Sequence, residues 1–307
     1  MDFELAIIGA GPAGYSAAIY AVRAGIKTVV FDKSGGGGLA SIAPNIENYA
    51  GFESITGADL LEKMKAHAGK YAEMKLYEEI TAIKKIESGF ELTTAEDQQY
   101  QVGAILFSTG TEHRKLLCEN ISLFEGRGVS YCATCDGFFF KGKNVGVVGG
   151  GNSALIEAIY LKQIGCKNVY LIHRRDQLRA EEAYEKDAKN VGVKFLLNTE
   201  VESVSGKELL SAIKVRNKKT DELTQIQVDG LFISIGVIPQ NTLAKDLGVT
   251  IDDKGYIKVD NQMRTNIKGV YAAGDITGGL RQVVTAAAEG AIAALTSTEV
   301  LGKQYPY

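Results

Sequence analysis

Nowhere in this 307-residue sequence does an apolar run approach the roughly 18–20 residues that a membrane-spanning helix needs. No basic stretch and apolar segment precede a cleavage site either. The amino terminus enters an apolar strand at once with Leu5-Ala6-Ile7-Ile8, which argues against export. Cysteine is scarce: four residues are too few for a disulfide scaffold at this length, and that usage fits a reducing cytoplasm. Charge of neither sign is in large excess. A formal net charge of −3 gives no general reason to expect nucleic acid or an anionic membrane as partner. The composition therefore predicts a soluble cytoplasmic protein, with 45% apolar residues and length for about two domains.

What the sequence does have is one pattern, strand, glycine turn, helix and strand, used twice. The first copy starts at Leu5, turns through Gly9-Ala10-Gly11-Pro12-Ala13-Gly14, follows a small-residue helix and returns in Thr28–Asp32. The second starts at Val145, turns through Gly149-Gly150-Gly151-Asn152-Ser153-Ala154 and returns in Asn168–Ile172. The first glycine permits the tight turn, and the second lets backbone approach a pyrophosphate. The third position, Gly14 or Ala154, must be small for the helix to lie close to the strand. A lone glycine triplet is weak evidence, whereas its repetition in the required context is strong.

The two return strands end differently. Asp32 is a carboxylate where an unphosphorylated ribose is bound through its hydroxyls, which suits FAD or NAD. The second copy ends in His173-Arg174-Arg175, with Arg179 four residues on. Guanidinium groups there bind a 2′-phosphate by paired, charge-assisted hydrogen bonds, which predicts NADPH; the alternative is a solvated basic turn. Two such units predict that one holds a flavin and the other feeds it. The tail agrees: Gly269–Asp275 reads as an apolar strand ending in Gly274 and Asp275, followed by a helix over roughly 281–301. Phe107-Ser108-Thr109-Gly110 reads as a further strand end at the cofactor.

Between the units lies Cys132-Ala133-Thr134-Cys135, followed by Asp136. A two-residue spacer lets the sulfurs close a small disulfide ring and favours a low thiolate pKa on one of them. The alternative is half a zinc site. That needs a second close pair of ligands, and Cys118, Cys166, His113 and His173 are not spaced as one. Cys118 and Cys166 read as buried small residues, and His67 as a surface or packing residue on an amphipathic helix. Asp136 is placed to transfer protons during exchange if its pKa is raised; its alternative is a helix N-cap.

With these motifs in this order, the chain resembles the low-molecular-weight thioredoxin reductases over nearly its whole length, with archaeal features. The resemblance implies an α/β fold of two Rossmann-like, three-layer ββα domains. A discontinuous FAD domain would span 1–112 and 243–307, with an NADPH domain inserted over 113–242 and carrying the dithiol. It implies FAD and NADPH as cofactors and no metal. The partner would be thioredoxin or a thioredoxin- or glutaredoxin-like protein, and the chain a homodimer formed through the FAD domain. Cys135 would face the flavin, Cys132 would attack thioredoxin and Asp136 would be the acid–base group. Gly9, Gly11, Pro12, Ala13, Gly14, Asp32, Lys33, Gly38, Leu39, Asn48, Thr109, Gly110, Gly274, Asp275, Arg281, Gln282 and Val283 would contact FAD. Gly149, Gly151, Asn152, Ser153, Ala154, His173, Arg174, Arg175 and Arg179 would contact NADPH.

One segment departs from the family pattern. Where Gly-Gly-Gln-Leu is common, this chain has Gly35-Gly36-Gly37-Gly38-Leu39, which loses a glutamine contact and predicts a mobile loop. Because disulfide and nicotinamide would share the inserted domain, the family mechanism requires them to alternate at the flavin by rotation near 112–117 and 239–245. Two other functions fit parts of the pattern. One is a ferredoxin–NADP reductase of the related kind, against which the cysteine pair argues; the other is a non-catalytic redox sensor.

Overall fold

The strand Phe3–Ile8 is buried on both faces, as a central parallel strand must be when each face is covered. Leu5 and Ile7 pack with Ala17, Ala18 and Ala21 of the helix Pro12–Arg23 and with Ala286 and Ala293 of the helix Val283–Thr296. Ala6 and Ile8 point the other way, into a core with Phe90, Leu92, Ala244 and Ile257. Helices, parallel sheet and antiparallel hairpin thus make three layers. The computed structural model describes residues 1–43 and 45–304, so 305–307 of the expected FAD-domain segment lie outside the described residues.

The chain divides into two units, Met1–Glu112 with Ile238–Tyr307, and His113–Val237. In the first, Phe3–Ile8 pairs in parallel with Thr28–Asp32 and with Gln99–Phe107. Glu73–Leu76 extends one side and Val270–Ala272 the other, both in parallel. The hairpin Ile80–Ile86 and Gly89–Thr94 runs antiparallel from the first half of Gln99–Phe107. In the second unit, Asn144–Val148 lies between Asn168–Ile172 and Gly230–Ile233, all parallel. Lys194–Leu196 and Val129–Ser130 flank them. Val145 and Val147 face the helix Asn152–Gln163, while Val148 and Ile172 face the antiparallel strands Thr199–Gly206 and Leu210–Asn217.

Three expectations change. The chain recrosses at 237/238, before the expected 242/243: Gln240 is bonded on both sides to the first unit, its N–H donating to the Gly110 carbonyl and its carbonyl accepting the Thr109 hydroxyl. The expected helix over 281–301 is two helices, Val283–Thr296 and Thr298–Leu301. Across that break the hydroxyls of Thr296, Ser297 and Thr298 donate to the carbonyls of Ile292, Ala294 and Leu295, a competition that interrupts regular helix. Cys166 is buried, but Cys118 is only half-buried. At the borders each unit closes on itself: the Arg114 N–H donates to the Gly236 carbonyl and the Gln240 N–H to that of Gly110, both at 3.1 Å.

Candidate functional site

Cys132 is the N-cap of the one-turn helix Ala133–Asp136 and is joined to Cys135 in a disulfide, with Cα atoms 5.3 Å apart. Its sulfur accepts the Cys135 N–H at 3.2 Å, an interaction that stabilises a thiolate at Cys132 once the bond opens. Asp136 lies at the end of the same turn. Its Oδ2 accepts the Ser130 hydroxyl at 2.6 Å, while Oδ1 is buried without a hydrogen-bond partner. Burial pushes this carboxyl above the usual aspartate range, and the Ser130 hydrogen bond opposes the shift. The N-cap alternative is not realised, since Asp136 makes no side-chain cap to the following turn Gly137–Phe140. Sequence reasoning missed Ser130, whose Oγ also accepts the Cys132 N–H at 3.1 Å. It missed Phe138 and Phe139 as well, which follow the dithiol and are exposed.

The second glycine turn is in the same unit. Gly151 caps the helix Asn152–Gln163, and a Cβ built on it meets nothing within 4 Å. Neither a side-chain cap nor an acidic residue claims the first turn, so its N–H groups fit a pyrophosphate. Ser153 is exposed in that turn, and Ala154 packs beneath it against Gly149. The arginine loop folds back on the turn. The Arg179 N–H donates to the Gly150 carbonyl at 2.7 Å, and Asn152 and Glu181 exchange bonds of 2.7 and 2.9 Å. Glu181 was invisible to motif reasoning. Arg174, Arg175 and Arg179 are exposed and none is ion-paired among the described residues, so their charge is open to an anion. His173 differs from the expectation of an anion contact. Its ring is buried against Gly150, Nε2 meets the Gln177 carbonyl at 3.1 Å, and burial pushes its pKa down. A neutral ring shapes the turn and adds no charge to it.

The first unit builds a matching cradle. Gly11 caps the helix Pro12–Arg23 with open space around it, no side-chain cap and no acid in the first turn. Gly14 admits no side chain, because a Cβ there would overlap the Gly9 carbonyl and meet Ser108 Oγ at 2.9 Å. Asp32 Oδ2 accepts the Ala10 N–H at 2.7 Å, and Oδ1 accepts the N–H and hydroxyl of Ser34 at 2.8 and 2.6 Å. Oδ1 thereby uses both of its lone pairs, and Oδ2 keeps one for a ribose hydroxyl. Lys33 is exposed and pairs with Glu112 at 3.5 Å.

The four-glycine loop, expected to be mobile, has a backbone hydrogen bond to the first glycine turn. Gly36, Gly37 and Gly38 all have positive φ, the Gly37 N–H donates to the Ala10 carbonyl at 2.7 Å, and Gly38 lies beside Gly11. Leu39 follows in a short 3₁₀ turn, Gly38–Ile42. Asn48 and Gln282, far apart in sequence, meet at 3.1 Å in front of Val283, the first residue of its helix. Thr109 donates to the Gln240 carbonyl at 2.7 Å next to Gly110. Asp275 is raised by burial and lowered by the nearby Arg281. Glu289, also missed, accepts the Gly274 N–H at 2.7 Å and the Thr277 hydroxyl at 3.3 Å, fixing the loop that carries Asp275. Its spacing from Ala286 and Ala293 on one helix face was the available signal.

Comparison with known proteins agrees with this arrangement. Residues 3–290 match the model of the pyridine nucleotide-disulphide oxidoreductase family. A thioredoxin reductase of Treponema pallidum (strain Nichols) is 41% identical over 296 residues, covering 95% of each chain. One of Listeria monocytogenes is 42% identical, covering 95% of this chain and 91% of that one. The crystal structure of a thioredoxin reductase from Streptococcus pyogenes superposes with a TM-score of 0.93 at 36% identity, covering 98% of each chain.

Proposed function

The chain belongs to the pyridine nucleotide-disulphide oxidoreductase family, and from that premise we propose that it is an NADPH-dependent thioredoxin-disulfide reductase containing FAD. The observation that carries this reading is a disulfide, a buried carboxyl and a dinucleotide-type turn built into one unit. Bound FAD supplies the two-electron relay between NADPH and the Cys132–Cys135 disulfide.

The unit 113–237 holds NADPH, with the turn Gly149–Ala154 on the pyrophosphate and Arg174, Arg175 and Arg179 on the 2′-phosphate. The other unit holds FAD through Gly9–Gly14, Asp32, Asn48, Asp275 and Arg281–Val283. Cys135 receives the electrons. The Cys132 thiolate then attacks the partner disulfide, forming a mixed disulfide and releasing one partner sulfur. Cys135 attacks Cys132 in turn, which restores the internal bond and frees the second partner thiol. Asp136 donates a proton to a departing sulfur and takes one from an attacking thiol. The exposed Phe138 and Phe139 suit an apolar patch on a protein partner of thioredoxin or glutaredoxin type. The enzyme works in the cytoplasm as a homodimer joined through its FAD domain; no helix among the described residues is long and apolar enough to cross a membrane.

Replacing Cys135 by serine tests the assignment. NADPH should still bleach the flavin of the Cys135→Ser protein, while reduction of oxidised thioredoxin stops. Normal turnover by that variant would sink the division of labour between the sulfurs.

A further inference from the structure

We propose that Ser130 is a positioning residue for the proton-transfer carboxyl: its hydroxyl couples Asp136 to the backbone of Cys132 and reserves the other carboxyl oxygen for the travelling proton. This rests on the acid–base role given above to Asp136. The serine hydroxyl has one proton and two acceptor sites. It accepts the Cys132 N–H at 3.1 Å and donates to Asp136 Oδ2 at 2.6 Å, a length typical of a hydroxyl on a carboxylate. Its contact with the Cys132 carbonyl, at 3.4 Å, is too long to compete. Ser130 is buried, and its strand Val129–Ser130 pairs in parallel with Gly230–Ile233, with Ser130 opposite Phe232. The hydroxyl is therefore anchored to the sheet and not to the short turn that carries the sulfurs.

The consequence follows from the other oxygen. Oδ1 has no hydrogen-bond partner, so it is the oxygen on which a proton can come and go while the Ser130 bond to Oδ2 persists in both charge states. Opening the disulfide with two electrons leaves two sulfurs that take up two protons. Asp136 delivers one from Oδ1, solvent supplies the other, and Asp136 recovers its proton when an attacking thiol ionises. Around the carboxyl, its own turn contributes the two sulfurs, and the packed helix Asn152–Gln163 carries Glu157, Tyr160 and Lys162. No charged group figures in its shift, which comes from burial opposed by Ser130.

The test uses the full-length holoprotein, reduced with dithiothreitol, desalted and mixed with the chromogenic disulfide dithionitrobenzoate across a pH series. Wild type, Ser130→Ala, Ser130→Thr and Asp136→Asn are compared. Carbon-13 aspartate NMR follows Asp136 directly, assigned by the resonance that Asp136→Asn removes. With the hydroxyl gone the charged carboxylate loses its donor, so both the NMR titration and the acid limb of the rate should move to higher pH. On that limb the rate should fall about tenfold, and Ser130→Thr should restore it. If Asp136→Asn abolishes the limb while Ser130→Ala leaves limb and resonance in place, the proposal for Ser130 is overturned and the role of Asp136 stands. If Asp136→Asn leaves the limb unchanged, the acid–base role itself falls. A merely structural role for Ser130 would lower the rate without moving the limb, and that result also rejects the proposal.

Discussion

The carboxyl of Asp136 is buried with one oxygen unpaired, and burial places its folded-state pKa above that of the unfolded chain. The stability linked to this group is present in full below the unfolded pKa and is lost as pH rises through the folded value. Asp136→Asn keeps an acceptor for Ser130 and removes the charge. Its Tm should exceed the wild-type value by about 2–4 °C near neutral pH and converge with it in acid, while thiol–disulfide exchange slows about a hundredfold or more. Calorimetry over a pH series and stopped-flow exchange check the two halves; an unchanged Tm at neutral pH would remove burial as the cause of the shift. The place of Asp136 beside the sulfurs was legible in the sequence, because adjacency to Cys135 puts it on the same turn. Ser130 was not. Six residues separate it from Asp136, and only the folded strand turns its hydroxyl towards the carboxyl. The burial of His173 was hidden for a related reason: its neighbours are cationic and exposed, but its own ring fills the space over Gly150.

Strands and helices were readable where hydrophobic period and glycine turns agree, as in Thr28–Asp32 and Asn168–Ile172, whose bounds the structure reproduces. The stop of the last long helix at Thr296 was not readable, because three hydroxyl residues in an alanine-rich run carry no breaker signal. The bond between Asn152 and Glu181 spans 29 residues and was equally hidden. It staples the arginine loop to the glycine turn, so Glu181→Ala should loosen both together. NADPH affinity should weaken about three- to tenfold with the flavin spectrum unchanged, and Glu181→Gln should retain most of the binding. Isothermal titration with NADPH decides the point, and undiminished affinity in Glu181→Ala would show that the staple is idle. NADH lacks the phosphate that we propose the exposed arginines hold. Stopped-flow flavin reduction should therefore be slower with NADH than with NADPH, and the reverse order would remove those residues from donor selection.

The cores of the second unit are complete within it: every residue around Val147 and Ile213 comes from 113–237. The first unit needs both of its segments, since Leu5 and Ile7 share a core with Tyr271, Ala286 and Ala293. Residues 113–237 alone should therefore melt cooperatively and bind NADPH without FAD, whereas 1–112 alone should stay unfolded. Circular dichroism and thermal melts test both, and a cooperative melt of 1–112 would contradict the shared core. The division into two α/β units was legible because the glycine turn repeats. The recrossing point was not, because the bonds that tie Gln240 to Thr109 and Gly110 form between segments about 130 residues apart.

The ends of the insert are one hydrogen bond apart, Arg114 to Gly236, and the host chain closes beneath in the same way, Gln240 to Gly110. An insertion whose ends meet can be exchanged without restraining the host around it. With the proposed NADPH site in the insert, the choice of reductant and the sulfur pair would travel as one inheritable cassette. A lineage that acquired a different insert would then change its electron donor and its disulfide chemistry in a single recombination, and leave the other half of the molecule as it was.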